Sequence, residues 1–431
     1  MIPENNTSIV TSAGVIAATV SLVLFYFNSV IFAEENYIYF TLLLSAAALF
    51  KGNLRLILNT DMVKILTIFA VLALYVFLHN EVPENVGRLQ FVSPASTGVD
   101  GSHVPIICAG AVFFAAASIS YRRASMPLWL WLTVLVYLSG YIAINSLDFA
   151  AFKAGYHLSA GFVLISAAPC LFLSNARTHI VRSIAYISLI FFIVWLTILG
   201  ARTAGFSLLV VLLLLISWQR TVRNQTIFKS LFWILFFTIL LMKVTYIVAG
   251  IQFHGGISTG KPLLFGLGVG FLEKQIWTRL EIWLHVSELI HDRPLFGWGS
   301  GVSTSLVAPV EDLTFSLNRN NIASHSTFAE VLFRLGYVGL FLFAILLSAI
   351  WNGFGPARDR LEVQAVASFM LGILLLSTTS TILLFSATPL RVLMCWAIFG
   401  FGVGIGLRCK QETTAPSNKP IHTAFSNSGS S

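Results

Sequence analysis

Three side chains, far apart along the chain, have the chemistry to act on a phosphate-bearing substrate. Arg202 lies in a turn of a few residues between two apolar segments, and Arg279 lies within the apolar stretch 271–290. A guanidinium group offers paired donors that match phosphate oxygens. His325 precedes a long apolar segment, and an ordinary imidazole pKa of about 6.5 suits proton abstraction from a hydroxyl. These residues predict a site that binds a phosphate anion and deprotonates a hydroxyl.

Each of the three side chains also has a structural interpretation. Arg202 could be a membrane-interface anchor whose charged head reaches water. Arg279 has no acidic residue three or four positions away, so a structural role would need an ion pair in the tertiary fold. His325 could be a hydrogen-bonded residue at a membrane boundary. Sequence alone leaves both interpretations open for each residue.

Further cations near the same predicted surface are candidates for substrate binding, namely Lys243, Arg293, Arg319 and Arg391. Lys243 lies in the outer third of an apolar segment, where it either reaches the interface or contacts substrate. Arg293 precedes Pro294 and could instead cap the preceding helix. Glu330 and Arg334 are four residues apart, a spacing that predicts an intrahelical ion pair with a structural role.

The composition is that of an integral membrane protein. Of the 431 residues, 57% are hydrophobic and only 10% are charged, whereas soluble domains average about 25% charged residues. The mean hydropathy is +0.84. The net charge of +8 therefore reflects the placement of basic loops in a membrane protein, and nucleic acid is not an expected partner.

Hydropathy predicts an all-α, polytopic membrane protein with about twelve transmembrane helices. The apolar segments fall at about 8–33, 37–50, 62–79, 104–120, 127–146, 158–174, 183–200, 204–218, 228–250, 327–351, 364–386 and 389–407. The predicted organisation is residues 1–250 as helices one to nine, 251–326 as a large outer loop with an apolar helix, 327–407 as helices ten to twelve, and 408–431 as a disordered cytoplasmic tail.

The distribution of Lys and Arg predicts the orientation in the membrane. One set of loops carries fifteen basic residues: Lys51, Arg55, Lys64, Arg122, Arg123, Arg177, Arg182, Arg220, Arg223, Lys229, Arg358, Arg360, Arg408, Lys410 and Lys419. The alternate short loops carry four: Arg88, Lys153, Arg202 and Arg391. Both termini are therefore predicted to be cytoplasmic, and residues 251–326 to face the opposite side of the membrane, which in a Gram-negative bacterium is the periplasm.

Several motifs of other enzyme classes are missing from the sequence. It has no Asp-x-Asp pair of the kind that binds a metal with a nucleotide sugar. The glycine clusters 266–270 and 297–301 lack the strand–turn–helix context of a nucleotide site and are interpreted as turns. The four cysteines have no metal-binding spacing and are interpreted as packing residues: Cys108, Cys170, Cys395 and Cys409. No metal or cofactor is expected.

Three segments together resemble the O-antigen ligase/polymerase family of bacterial inner-membrane glycosyltransferases. ARTAG (201–205) is similar to the family's short turn that opens a membrane span. RLEIWLHVSELIHDRPLFGWGSG (279–301) resembles its segment ending in Pro-Leu-x-Gly-x-Gly, and SHSTFAEVLFRLGYVGLFLF (324–343) resembles its histidine-led start of the next span. The sequence departs from the family in having Ser326 where asparagine commonly follows the histidine, and in the modest length of the 251–326 loop.

The resemblance implies a substrate and a mechanism. The donor would be a glycan linked through diphosphate to undecaprenol, and the acceptor a hydroxyl of lipid A–core or of another glycan. Transfer would invert the anomeric carbon without metal, nucleotide or other cofactor. Arg202 and Arg279 would stabilise the diphosphate leaving group, and His325 would act as the base.

Other functions remain open at the level of sequence. A ligase and a polymerase use the same donor and differ in the acceptor. The loop sequences contain no motif that identifies the acceptor. A lipid-glycan transporter would use similar cations as substrate ligands, but it is expected to carry them near mid-span and to have repeated halves. The cations here cluster at one surface, which makes a transporter the less favoured class. Ligase is the preferred prediction and polymerase the alternative.

Overall fold

The computed structural model describes residues 56, 59–79, 104–123, 170, 179–198, 202–221, 224–254, 283, 286–287, 289–302, 324–385 and 389–414. All regular structure within these ranges is helical. The helices are α1 (Thr60–Leu78), α2 (Val104–Arg123), α3 (His179–Ile198), α4 (Arg202–Thr221), α5 (Gln225–His254), α6 (Thr327–Phe354), α7 (Leu361–Leu376) and α8 (Pro389–Thr414), with a 3-10 turn at Gly355–Ala357. The predicted all-α class is thus confirmed for the described part of the chain.

Within the part of the chain that the structure describes, three helices are long and apolar enough to cross a membrane: Thr60–Leu78, Thr327–Ala357 and Val392–Thr414. The predicted spans at 8–33, 37–50 and 127–146 lie outside the described residues, as does all of 158–174 except Cys170. The total of twelve and the extent of the 251–326 loop therefore stay predictions. On α3, the side chains of Ile180, Ile187 and Ile190 are exposed, as expected of a surface that meets lipid.

Two predicted helix boundaries differ from the structure. The segment 364–386 was expected to be one span, but α7 ends at Leu376. The chain turns there because the backbone N–H of Thr327 donates to the Ser377 carbonyl (2.9 Å) and its hydroxyl donates to the Ser380 carbonyl (3.0 Å). Helix α8 continues to Thr414, so the predicted tail 408–431 begins with nearly two further helical turns.

Helices α2 and α8 pack with their backbones in close approach. A Cβ on Gly400 would overlap the carbonyl of Phe113, and one on Gly404 would overlap the carbonyl of Ala117. Two glycines four residues apart, facing alanines, form the small-residue interface that membrane helices use to pack closely. The small-residue patch FFAAAS (113–118) of α2 therefore supplies one side of this close contact.

The helix ends that were predicted to be cytoplasmic lie together. Lys410 of α8 pairs with Asp61 of α1 (2.5 Å), and the Tyr121 hydroxyl of α2 donates to Gln411 (2.5 Å). At the same level, the Trp218 indole donates to the Arg358 carbonyl (3.0 Å). These contacts define the basic end of the bundle. The opposite end, which carries His79 and residues 324–327, is called the site end below.

Candidate functional site

Helix α6 is broken at Gly336, and a loop fills the break. Residues 293–302, called the docking loop below, lie against this position. The N–H groups of Trp298 and Gly299 donate to the carbonyls of Phe333 and Arg334 (both 2.9 Å). The N–H groups of Tyr337 and Val338 of α6 donate to the Pro294 and Leu295 carbonyls (2.8 and 3.1 Å). Backbone groups that lose their helical hydrogen bonds at the break are therefore hydrogen-bonded to the docking loop.

Two glycines make this contact sterically possible. Gly336 has φ 64° and ψ −164°, a conformation that is essentially restricted to glycine, and a Cβ there would overlap the Leu295 carbonyl oxygen. Gly297 has φ 73°, and its Cβ would lie 2.5 Å from the Arg334 carbonyl. The glycine cluster 297–301 is thus a turn, as predicted, and it packs against Gly336, which belongs to the motif at 324–343.

The docking loop also holds the end of α1. The backbone N–H of Ser300 donates to the His79 carbonyl (2.8 Å), and its hydroxyl donates to the Val76 carbonyl (3.0 Å). The Tyr75 hydroxyl donates to the Leu335 carbonyl, directly before the break (2.8 Å). Three separate parts of the chain therefore meet at the break in α6.

An apolar cluster continues from the loop to the segment before it. Residues 283, 286–287 and 289–292 are helical, and Val286 and Leu289 pack with Trp298 and Phe333. The Trp298 indole donates to the Leu289 carbonyl (2.7 Å). The described residues of the apolar stretch 271–290 thus pack on the bundle.

Beside the break lies a buried ion pair. Arg334 Nε and Glu330 Oε1 are 2.7 Å apart, and both side chains are only 3% exposed. Arg334 also donates to the Ser300 carbonyl (2.9 Å), and its guanidinium lies 4.6 Å from the ring centroid of Phe385. Glu330 accepts a hydrogen bond from the Ser324 hydroxyl (2.9 Å). The predicted pair is confirmed, and it links the docking loop to the residue before His325.

His325 is held in a left-handed backbone conformation, with φ 45°. Its neighbours Ser324 and Ser326 are buried, whereas His325 is partly exposed. A left-handed conformation is unfavourable for a non-glycine residue by about 1–2 kcal/mol. Within the described ranges, only His325 and Phe385 combine a side chain with a positive φ. Ser324, next to His325, donates to Glu330, and the Phe385 ring contacts Arg334. Such strain persists where the surroundings fix it, often at functional sites.

Ser326 provides the second anchor of this segment. It is the N-cap of α6, where its hydroxyl accepts from the Ala329 N–H (3.4 Å) and donates to the Ser377 carbonyl (3.4 Å). Serine and asparagine cap helices about equally well. The departure from the family pattern at this position therefore preserves the capping function.

Arg202 begins a helix that reaches the same end of the bundle as His325. Helices α4 and α7 are antiparallel, since Trp218 contacts Arg358 at the basic end and the Ser207 carbonyl lies 3.4 Å from a Cβ placed on Gly372 further along. Five residues separate Ser207 from Arg202, and five separate Gly372 from Ser377, about 7.5 Å of helix each. Arg202 therefore starts α4 level with Ser377, which binds the residues that follow His325.

The backbone atoms of Lys243 and Arg391 also lie at the site end. Phe236 of α5 packs on Phe328, three residues after His325, with ring centroids 5.8 Å apart. Helix α5 runs from the basic end towards the site end, so Lys243, seven residues after Phe236, lies about 10 Å further along the helix axis in that direction. Arg391 lies in the first turn of α8, opposite the end that carries Lys410.

The remaining predicted residues have different outcomes. Arg279 and Arg319 lie outside the described residues. The Arg293 guanidinium lies over the Trp298 ring, 4.6 Å from its centroid, a cation–π contact that fixes the docking loop.

Sequence reasoning missed the polar residues that join these segments. Tyr75, Ser300 and Ser324 donate to backbone carbonyls or to Glu330, and their partners lie up to 260 residues away. A short polar side chain within an apolar stretch is a weak signal of this role. The four-residue spacing of Glu330 and Arg334 was the only part of the network that the sequence revealed.

The fold and the site define a helical membrane protein with a buried polar network under a strained histidine. Residues 161–344 match the family model of the O-antigen ligases, Wzy_C. Over these residues the match bears out the predicted resemblance to the O-antigen ligase/polymerase family, and members of that family are membrane glycosyltransferase-like enzymes. The match includes Arg202, Arg279 and His325 and ends before Arg391. No curated protein matched the chain.

The buried pair should be strongly coupled. We expect Glu330→Leu alone or Arg334→Met alone to destabilise the protein by about 3–5 kcal/mol, because each leaves a buried charge without its partner. The double variant should recover most of this loss. Thermal unfolding in detergent measures both.

The pair Arg408–Glu412 is a matched control, with the same spacing and a 2.8 Å contact, but 39% and 46% exposed. Arg408→Met should change stability by less than about 1 kcal/mol. If the two buried substitutions were simply additive, the coupling would be refuted.

Proposed function

We propose that the chain is an O-antigen ligase-like glycosyltransferase that moves a glycan from undecaprenyl diphosphate to a hydroxyl of lipid A–core. The reaction would take place at the periplasmic face of the bacterial inner membrane, with both termini cytoplasmic. The family match supports ligase-like activity on glycans in a membrane setting. The identity of the donor, the identity of the acceptor and the roles of individual residues are proposed in addition to that activity.

In the proposed reaction, the His325 imidazole takes the proton of the acceptor hydroxyl. The hydroxyl oxygen forms a bond to the anomeric carbon from the face opposite the diphosphate, so the configuration inverts. The bond between the anomeric carbon and the phosphate oxygen breaks, and undecaprenyl diphosphate leaves with the electron pair. Arg202 and Arg279 stabilise the negative charge that grows on the leaving group. No metal ion or nucleotide takes part.

The observation that carries this proposal is the backbone around His325. A left-handed conformation at a partly exposed histidine, fixed by buried serines on both sides, is what a group needs if it must meet a substrate in one orientation. The level at which α4 begins gives independent support, since it brings the Arg202 backbone to the same end of the bundle.

The other cations are proposed to bind the substrate around this centre. Lys243 and Arg391, whose backbones lie at the site end, would contact the anionic diphosphate or acidic groups of the glycan. Arg319 is proposed for the same role. Arg293 would act close to its position over the Trp298 ring, where the docking loop meets α6.

Conservative replacement of Arg279 should separate charge from geometry. We expect Arg279→Lys to lower transfer by about 10²–10³-fold, because lysine cannot make the paired hydrogen bonds of a guanidinium. The protein should still accumulate in the membrane. As a control, Arg408→Lys at the basic end should retain activity. Near-normal transfer by Arg279→Lys would remove this residue from the mechanism.

Lipid analysis of a deletion strain tests the choice of acceptor. Loss of a ligase should leave core without long chains while polymerised glycan accumulates on the carrier. Loss of a polymerase, the alternative function, should leave single repeat units instead. A transporter would move the lipid-linked glycan across liposomes without transferring it. Ligases and polymerases use the same donor, so the family resemblance does not distinguish them. The products that accumulate in the deletion strain do.

A further inference from the structure

A cavity of about 720 Å³ lies at the basic end of the bundle, opposite the candidate active site. It is formed where α1, α5, α6 and α8 begin or end, together with the 3-10 turn Gly355–Ala357. Its volume lies within the range of about 300–1,000 Å³ that is usual for small-molecule sites. Neither the proposed reaction nor the family match assigns a role to it.

The cavity has a strongly cationic lining. Four basic side chains reach it from different elements: Lys64, Lys229, Arg358 and Lys410. Among the described residues of the lining, Asp61 is the acidic one, and it pairs with Lys410 at 2.5 Å. The described lining residues therefore carry a formal charge of +3, and a bound anion would offset the repulsion between the basic groups.

One wall of the same cavity is apolar. Phe228, Trp233 and Ala349 line it. Trp233 stacks on Phe237 one turn further along α5, with ring centroids 5.6 Å apart, and Phe237 is 57% exposed. An exposed apolar strip thus leads from the cavity along the surface of the bundle. Tryptophan at this position is typical of the membrane–water interface.

We propose that this cavity binds a phosphate group, and that the phosphate is the headgroup of an anionic glycerophospholipid. The cations would hold the phosphate, while the acyl chains would cover Trp233 and Phe237. A basic pocket between helices at the cytoplasmic side suits such headgroups. The apolar wall favours a lipid over a soluble phosphate, because a free anion would leave that wall in water.

The test uses the full-length chain, purified in detergent and freed of lipid, with labelled phosphatidylglycerol as the probe. Wild-type protein should bind it saturably, and Lys64→Gln/Lys229→Gln should bind about thirtyfold more weakly, the effect expected of two basic side chains. Lys64→Arg/Lys229→Arg, which keeps the charge, should bind as wild type. Arg408→Gln, at the same end but outside the cavity, is the matched control and should also bind as wild type.

Each other outcome would overturn the proposal. Wild-type affinity in the double glutamine variant would show that the cavity is not the site. An equal loss in Arg408→Gln would mean that binding follows total charge. Equally tight binding of phosphatidylcholine would exclude selection of an anionic headgroup. Displacement of the labelled lipid by inorganic phosphate at equal concentration would make the soluble anion, and not the lipid, the ligand.

Discussion

Replacing His325 by glycine should reduce glycan transfer by about 10²–10⁴-fold, the usual contribution of a general base, without destabilising the protein. Glycine adopts a positive φ without the penalty that histidine has at 45°, so unfolding temperature should stay equal or rise. Activity measured with a lipid-linked donor, together with thermal unfolding of the same samples, gives both results. Loss of function combined with retained stability is the expected signature of a strained catalytic group.

Two further variants sharpen this prediction. His325→Asn should also be inactive yet folded, since asparagine tolerates the left-handed region better than most residues. His291→Ala is the matched control, because His291 is exposed and precedes the docking loop; its activity should be that of wild type. If His325→Gly were inactive only because it unfolded, or if it stayed active, the role of His325 as base would be withdrawn.

Substitution of Gly336 should disrupt the contact between α6 and the docking loop. We expect Gly336→Ala to destabilise the protein by more than about 3 kcal/mol, because a dihedral penalty of about 1–3 kcal/mol adds to a clash with the Leu295 carbonyl. Activity should fall with it. Hydrogen exchange at the amides of Trp298, Gly299, Tyr337 and Val338 measures the loss directly, since these four groups bridge the two segments.

Gly355 provides the control for this substitution. It lies at the other end of α6 with helical dihedrals, and a Cβ there would meet only the Phe228 ring, at 3.9 Å. Gly355→Ala should therefore leave hydrogen exchange and activity unchanged. Gly297→Ala should resemble Gly336→Ala, and the double variant should be little worse than either, because both remove one interface. Unchanged protection in Gly336→Ala would contradict the docking arrangement.

The sequence predicted the helices well because burial in lipid requires long apolar segments. The described helices α1 to α6 begin and end within about four residues of the expected boundaries. The early end of α7 was not predicted, since Leu383, Leu384 and Phe385 continue the apolar run. They are buried in protein without being helical, and hydropathy does not distinguish these two forms of burial.

The site was only partly predictable for a related reason. Charge and spacing identified His325 and the Glu330–Arg334 pair, because ionisable groups are rare and costly in apolar segments. The contact between Gly297 and the broken helix uses backbone hydrogen bonds, which carry no side-chain signal. The left-handed conformation of His325 could not be predicted from sequence either, because only a few per cent of non-glycine residues adopt a positive φ and the flanking serines that fix it are common residues.

The most direct test of the proposed mechanism is an assay of glycan transfer by the purified chain in liposomes, with a radiolabelled glycan on undecaprenyl diphosphate, an acceptor lipid and a metal chelator. The proposed mechanism predicts that label appears on the acceptor with one undecaprenyl diphosphate released per glycan, and that His325→Gly gives neither product. Label that crosses the bilayer while still attached to its carrier, with no acceptor product, would contradict it.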